Sequence, residues 1–160
     1  MIKQKSLGVD FGNTIIKLID NKVSFYENTY RKCKAMPYSI NSLKKLNENF
    51  NGRVYIVSKC SKPAEKKILD WMKYNNFHES TGIEKSKVHF CRERKDKSIL
   101  SKKLRLTEFV DDKLEVLSHM KPGMNLFLFR PQKKEVNEFK EYLSRVRIVK
   151  SWKELLPLLD

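Results

Sequence analysis

Ser6–Thr14 reads SLGVDFGNT. Its first five residues form a short apolar run closed by a carboxylate, Asp10, and a glycine, Gly12, follows two positions on. The same arrangement recurs downstream. Arg53–Ser58 (RVYIVS) is a β-branched and aromatic run after the turn Asn51-Gly52. Lys87–Cys91 (KVHFC), Thr107–Asp111 (TEFVD), Met124–Phe129 (MNLFLF) and Val146–Val149 are further short strands. Such runs predict strands buried on both faces, as in a parallel sheet.

Helical patterns fill the gaps. Ser39–Phe50 carries a stripe of Ile40, Leu43, Leu46 and Phe50. Pro63 opens a helix at a favoured early position, with Ala64, Ile68, Leu69, Trp71 and Met72 inward. Ile99, Leu100 and Leu104 predict a short helix, and Leu114, Leu117 and Met120 another. Pro122-Gly123 is a turn; Val136, Phe139 and Leu143 mark a helix, and Trp152–Leu159 the last one. Ser80-Thr81-Gly82 reads as a loop. Thr14–Ile19 and Lys22–Tyr26 alternate about Asp20-Asn21, which predicts a hairpin. No linker or repeat interrupts the pattern. The expectation is one α/β domain over 1–160, Rossmann-like and doubly wound on a mainly parallel sheet. Ligands of such sheets bind beyond the carboxyl ends of the strands. Asp10, Ser58, Arg92, Asp111, Asp112 and Arg130 occupy those ends and are expected to converge.

Composition narrows the partners. The chain of 160 residues holds 34 Lys and Arg against 19 Asp and Glu, a net charge of +15. That excess favours anionic partners, nucleic acid and phosphorylated ligands among them. Lysine outnumbers arginine 26 to 8, which an AT-rich coding bias also produces. No apolar run is long enough for a membrane span, and the charged N-terminus lacks an apolar signal core. A cytoplasmic, intracellular protein without membrane contact is expected. Cys33, Cys60 and Cys91 are odd in number, scattered and without a CxxC, so neither a disulfide-linked partner nor a zinc site is expected. His78, His89 and His119 lack metal-ligand spacing. There is no Walker loop, no GxGxxG and no RNP-like motif. Trp71 and Trp152 read as packing residues.

Four pieces in order carry the chemistry: GVDFGNT, YIVS, RKDKSIL and FVDDKLEVL. In that order they resemble the haloacid dehalogenase-like (HAD) phosphohydrolase superfamily, with its strand-end DxDxT, strand-end Ser/Thr, helix-borne Lys and strand-end acidic pair. The resemblance runs from about Ser6 to Phe129. The Lys-to-DD arrangement is similar to the phosphatase half of polynucleotide kinase-phosphatase. The resemblance implies a Mg²⁺-dependent phosphatase acting through an aspartyl-phosphate. It makes Asp10 the nucleophile. Mg²⁺ takes hard oxygen ligands, here Asp10, the Gly12 carbonyl, Asp111 and Asp112. It makes Ser58, Lys97 and Asn13 phosphate ligands, with Lys97 also neutralising charge on the nucleophile. Thr14 supports the loop after Asp10. Read as ordinary structure, Ser58 is a cap for the helix at Pro63, Asp111-Asp112 cap the following helix, and Lys97 is a solvated lysine.

One position departs from the pattern. Gly12 stands where these phosphatases carry the aspartate that protonates the leaving oxygen, help typically worth about 10²–10⁴-fold. Two expectations follow: an active enzyme that favours leaving groups needing little protonation, or a module that binds nucleic acid or a phosphorylated partner without turnover. Neither gap between motifs is long enough for a full cap domain, so a small uncapped type with a hairpin flap is implied. An open site admits bulky substrates, and the charge favours a nucleic-acid phosphate end. Lys59, Lys62, Arg92, Arg94 and Lys95 are the basic residues in reach of such a substrate.

Overall fold

The computed structural model describes residues 3–160. Its elements run in chain order: β1 (Leu7–Val9), β2 (Ile19–Asp20), β3 (Val23–Ser24), α1 (Ser39–Asn49), β4 (Val54–Lys59), α2 (Lys62–Tyr74), α3 (Phe77–Thr81) and β5 (Val88–Cys91). Then follow α4 (Asp96–Lys103), β6 (Glu108–Asp111), α5 (Leu114–Ser118), β7 (Asn125–Phe129), α6 (Lys133–Glu138), β8 (Val146–Val149) and α7 (Trp152–Leu159). Six strands form one sheet in the order β5-β4-β1-β6-β7-β8, every pairing parallel. Counting only those six by appearance, the order is 3-2-1-4-5-6, the doubly wound arrangement. The expected α/β, Rossmann-like parallel sheet is the one observed.

Period-2 alternation sorts the strand residues between two cores. Leu7 and Val9 of β1, Val54 and Ile56 of β4, and Phe127 and Phe129 of β7 pack with Leu43, Leu46, Ile68, Trp71, Trp152 and Leu155 of α1, α2 and α7. Val57, Phe109, Leu126 and Leu128 point the other way, onto Leu114 and Leu117 of α5 and against Leu100 and Leu104. Gly8 lets the second layer close on the central strand. A Cβ there would stand 2.6 Å from the side chains of Leu106 and Phe109.

Some expected elements differ. The hairpin shrinks to two-residue strands, and Thr14–Ile16 do not belong to it. The amides of Ile15 and Ile16 donate to the Phe11 carbonyl, and Ile16 bridges Ala35 instead. Its turn falls at Asn21-Lys22, with Asn21 at φ +55°. Ser80 and Thr81 are helical rather than loop: Phe77 anchors α3, Thr81 donates to the Phe77 carbonyl, and Gly82 ends it at φ +76°. Leu69 faces solvent, because Ile68, Trp71 and Met72 already define the inward face of α2. The helix expected over Val136–Leu143 breaks at Phe139 into α6 and a 3₁₀ turn, Lys140–Arg145. Among the described residues, no helix is long and apolar enough to cross a membrane.

Candidate active site

The direction of strand succession reverses between β1 and β6, and two carboxylates stand at that switch point. Asp10 follows β1, its amide still donating to the Val110 carbonyl of β6 at 2.9 Å. Asp111 ends β6 and is 1 % exposed. Lys97, on the first turn of α4 and 2 % exposed, reaches between them. Its Nζ donates to Asp10 Oδ1 and to Asp111 Oδ2, each at 2.7 Å. Burial alone would lower the Lys97 ammonium, but the two carboxylates outweigh it and hold its pKa above the ordinary lysine value. The solvated-lysine reading is therefore excluded by geometry.

Each remaining oxygen is placed. Thr14 Oγ1 donates to Asp10 Oδ2 at 3.1 Å. The Thr14 carbonyl accepts the Trp152 indole N–H at 2.7 Å, so α7 fixes the loop that orients Asp10. Asp111 Oδ1 accepts the Lys113 amide at 3.0 Å. Asp112 is half-buried, and one ligand atom from each of Asp10, Asp111 and Asp112 lies within 4.8 Å of the others. Burial first, then the neighbouring charge of Asp10, pushes both Asp111 and Asp112 above the usual carboxylate range. Three carboxylates against one ammonium form a hard-oxygen set with charge left to neutralise. That donor set fits a divalent cation such as Mg²⁺.

Capping duties lie elsewhere. The amides of Leu114 and Glu115, which open α5, donate to the Glu135 carboxylate at 2.6 and 2.9 Å. Ser61, not Ser58, caps α2 by accepting from the Ala64 amide. Asp112 and Ser58 are thus left facing the cleft. Glu135 is the supporting residue that sequence reading missed; it lies 21 positions from Leu114, and no local signal joins them.

A cleft of about 490 Å³ opens over the cluster. Asp10, Gly12, Asn13, Ser58, Lys59, Arg94, Lys97, Asp111 and Asp112 all line it. Asn13 sits at φ +59°, and its side-chain oxygen accepts the Leu18 amide at 3.2 Å, holding the flap. Gly12 has ordinary φ; a Cβ there would meet Leu18 Cδ1 at 3.0 Å. Leu18 therefore fills the space beside Gly12 with hydrocarbon.

Two expected members of the convergence stay out of the cleft. Arg92 pairs with Glu65 at 2.8 Å, and Arg130 turns toward the Met36 sulfur. Arg92 and Lys95 instead line a neighbouring depression that shares Lys59 and Arg94 with the cleft. Much of this basic rim is matched by acids: Arg94 by Glu115, Lys95 by Glu93, Lys62 by Glu65. Cys91 points away, its Sγ toward the Ser58 and Glu93 carbonyls, and burial pushes its thiol up to about 11.

No family model matches the sequence, and no curated protein matches it significantly. Solved structures do share the fold. A HAD family hydrolase from Deinococcus radiodurans R1, determined with bound phosphate and sodium, aligns with a TM-score of 0.63 at 9% identity. The alignment covers 94% of this chain and 93% of that one. A haloacid dehalogenase-like hydrolase from Burkholderia xenovorans LB400 gives 0.54 at 16% identity, over 82% of this chain and 60% of that one. The architecture is accordingly that of HAD hydrolases.

Proposed function

We propose that this chain is a HAD-type phosphatase that hydrolyses phosphomonoesters through an aspartyl-phosphate on Asp10. The observation that carries the reading is the Lys97 ammonium held 2.7 Å from both Asp10 and Asp111 at the switch point of the sheet. Thr14 and Lys97 fix the Asp10 carboxylate, so little orientation is lost when it attacks. An Asp10 oxygen bonds to phosphorus as the ester P–O bond breaks, and the leaving oxygen departs with the electron pair. Water then attacks phosphorus, freeing inorganic phosphate and restoring Asp10. Ser58, at the end of β4, is available to a phosphoryl oxygen. Lys97 offsets charge on the nucleophile and the transferring group.

Mg²⁺ is the cofactor that the oxygen donors suit, held by Asp10, Asp111, Asp112 and the Gly12 carbonyl. When bound, it supplies Lewis-acid neutralisation of phosphoryl charge. Among the described residues, the flap of β2 and β3 is the cover of the cleft, which leaves room for bulky substrates. With a net charge of +15, nucleotides and nucleic-acid ends are among the candidates.

Gly12 and the hydrocarbon of Leu18 beside it favour a second reading, a module that binds nucleic acid or a phosphorylated partner without turnover. Hydrolysis of 4-nitrophenyl phosphate with and without Mg²⁺, for wild type and Asp10→Asn, separates the two. Metal-dependent turnover lost in the variant supports the phosphatase. Folded protein inactive on aryl, nucleotide and oligonucleotide phosphates supports the binding module.

A further inference from the structure

The acidic cluster accounts for only part of the cleft. Leu18, Phe25 and Tyr26 of the flap, Ala64 and Ile68 of α2, and Val116 of α5 line the same space. Phe25 is buried edge-on against Phe11 and Tyr30, which makes its part of the wall rigid. Tyr26 is 67 % exposed, an aromatic face left to solvent beside that wall. The volume, about 490 Å³, holds far more than a phosphoryl group and a metal ion.

Besides the acidic cluster and Lys97, the ionisable side chains that line the cleft are Tyr26, Lys59, Cys60, Arg94 and Lys113. No histidine lines it, and its three carboxyl groups are all in the acidic cluster. The Lys97 ammonium is held between two of those carboxylates. Beside Gly12 the space is filled by Leu18. With the three carboxyl groups engaged by Lys97 and the proposed metal, a leaving oxygen here has no carboxylic acid or imidazole to protonate it, which favours a weakly basic one. A phenolate meets that demand; an alkoxide does not. A phosphate leaving group would meet it too, but Leu18, Phe25, Ala64 and Ile68 on the apolar side favour a ring over a second charged group.

The geometry points to an aryl subsite: the apolar half of the cleft receives the aromatic ring of an aryl phosphomonoester, such as a phosphorylated tyrosine side chain. This inference rests on the phosphatase reading for its chemistry, while its binding part can be measured alone. It separates two substrate classes that net charge leaves level, the aryl esters and the alkyl esters found at nucleic-acid ends.

Calorimetry with phenylphosphonate and methylphosphonate, both in Mg²⁺, tests the subsite without turnover. The expected result is phenylphosphonate bound about tenfold more tightly, the fold-change expected from burying part of a ring. Leu18→Asn and, separately, the surface change Tyr26→Ser should shrink that preference and leave methylphosphonate affinity unchanged. Equal affinities, no binding of either probe, or a preference untouched by both variants would overturn the subsite. In the hydrolytic arm, phenyl phosphate should exceed a 3′-phosphorylated oligonucleotide in kcat/KM by on the order of 100-fold. Comparable rates overturn the aryl assignment and leave the phosphatase standing. Ring preference in a protein without Asp10-dependent turnover removes the phosphatase and keeps the subsite.

Discussion

Lys97 is a buried cation whose hydrogen-bond partners are two carboxylates. A buried charge set of this kind gives little net stability when intact, yet removing one partner is costly. Lys97→Met should lower unfolding free energy by about 3 kcal/mol or more, because Asp10 and Asp111 are left facing each other without compensation. Denaturant melts would measure it. Mg²⁺ should restore more stability to the variant than it adds to wild type, since the ion replaces the missing positive charge. A melt unchanged by the substitution would show that the triad does not form. His89 gives a pH signature at the same scale. Burial, then the nearby Lys103 and Lys87, lowers its pKa below the ordinary value of 6.5. The folded state therefore binds the proton less readily than the unfolded chain. His89 contributes no penalty above the ordinary imidazole value, and stability falls as pH drops from there toward the lowered folded value. His89→Gln should flatten the loss of stability between about pH 7 and 5; an unchanged slope would rule this contribution out.

Among the elements, α5 depends on a residue from α6. Glu135 is buried and accepts the two first amides of α5, which directly follows Asp111 and Asp112. Glu135→Ala should cost about 1–2 kcal/mol, the scale of a lost helix cap. It should also weaken Mg²⁺ affinity, because the turn carrying the acidic pair loses its anchor. β1 sets a second constraint. Gly8→Ala places a methyl group 2.6 Å from Leu106 and Phe109, and Phe109 belongs to a neighbouring sheet strand rather than a flexible tip. Overpacking of this kind costs roughly 1–3 kcal/mol. Thermal melts of the two variants check both values, and a Gly8→Ala protein as stable as wild type would mean that the sheet faces can separate more freely than the packing indicates.

Across the whole molecule, what could be read from the sequence was what local pattern encodes. The sheet strands are apolar runs between turn residues, so their existence and parallel pairing follow from the sequence itself. Val146–Val149 and Trp152–Leu159 even keep their expected bounds. Asp10, Ser58, Asp111 and Asp112 were legible because strand ends converge in a doubly wound sheet. Long-range choices were not legible. The Thr14–Ile19 alternation suits a hairpin, yet Lys17 finds the Lys34 carbonyl and Met36 finds that of Ile15, and these contacts win. The Ser80-Thr81-Gly82 cluster suits a loop, yet Phe77 buries fully and draws a helical turn with it. Glu135 and Leu18 gave no signal, since one acts across 20 residues and the other matters only because Gly12 leaves it room.

The central claim is that Asp10, locked by Lys97 and Thr14, is a nucleophile toward phosphorus. Quench-and-trap mass spectrometry of the protein with 4-nitrophenyl phosphate and Mg²⁺ tests it most directly. The account predicts a phosphoryl adduct on Asp10, absent in Asp10→Asn and without metal. Turnover without an adduct on Asp10, or an adduct that survives Asp10→Asn, would contradict it.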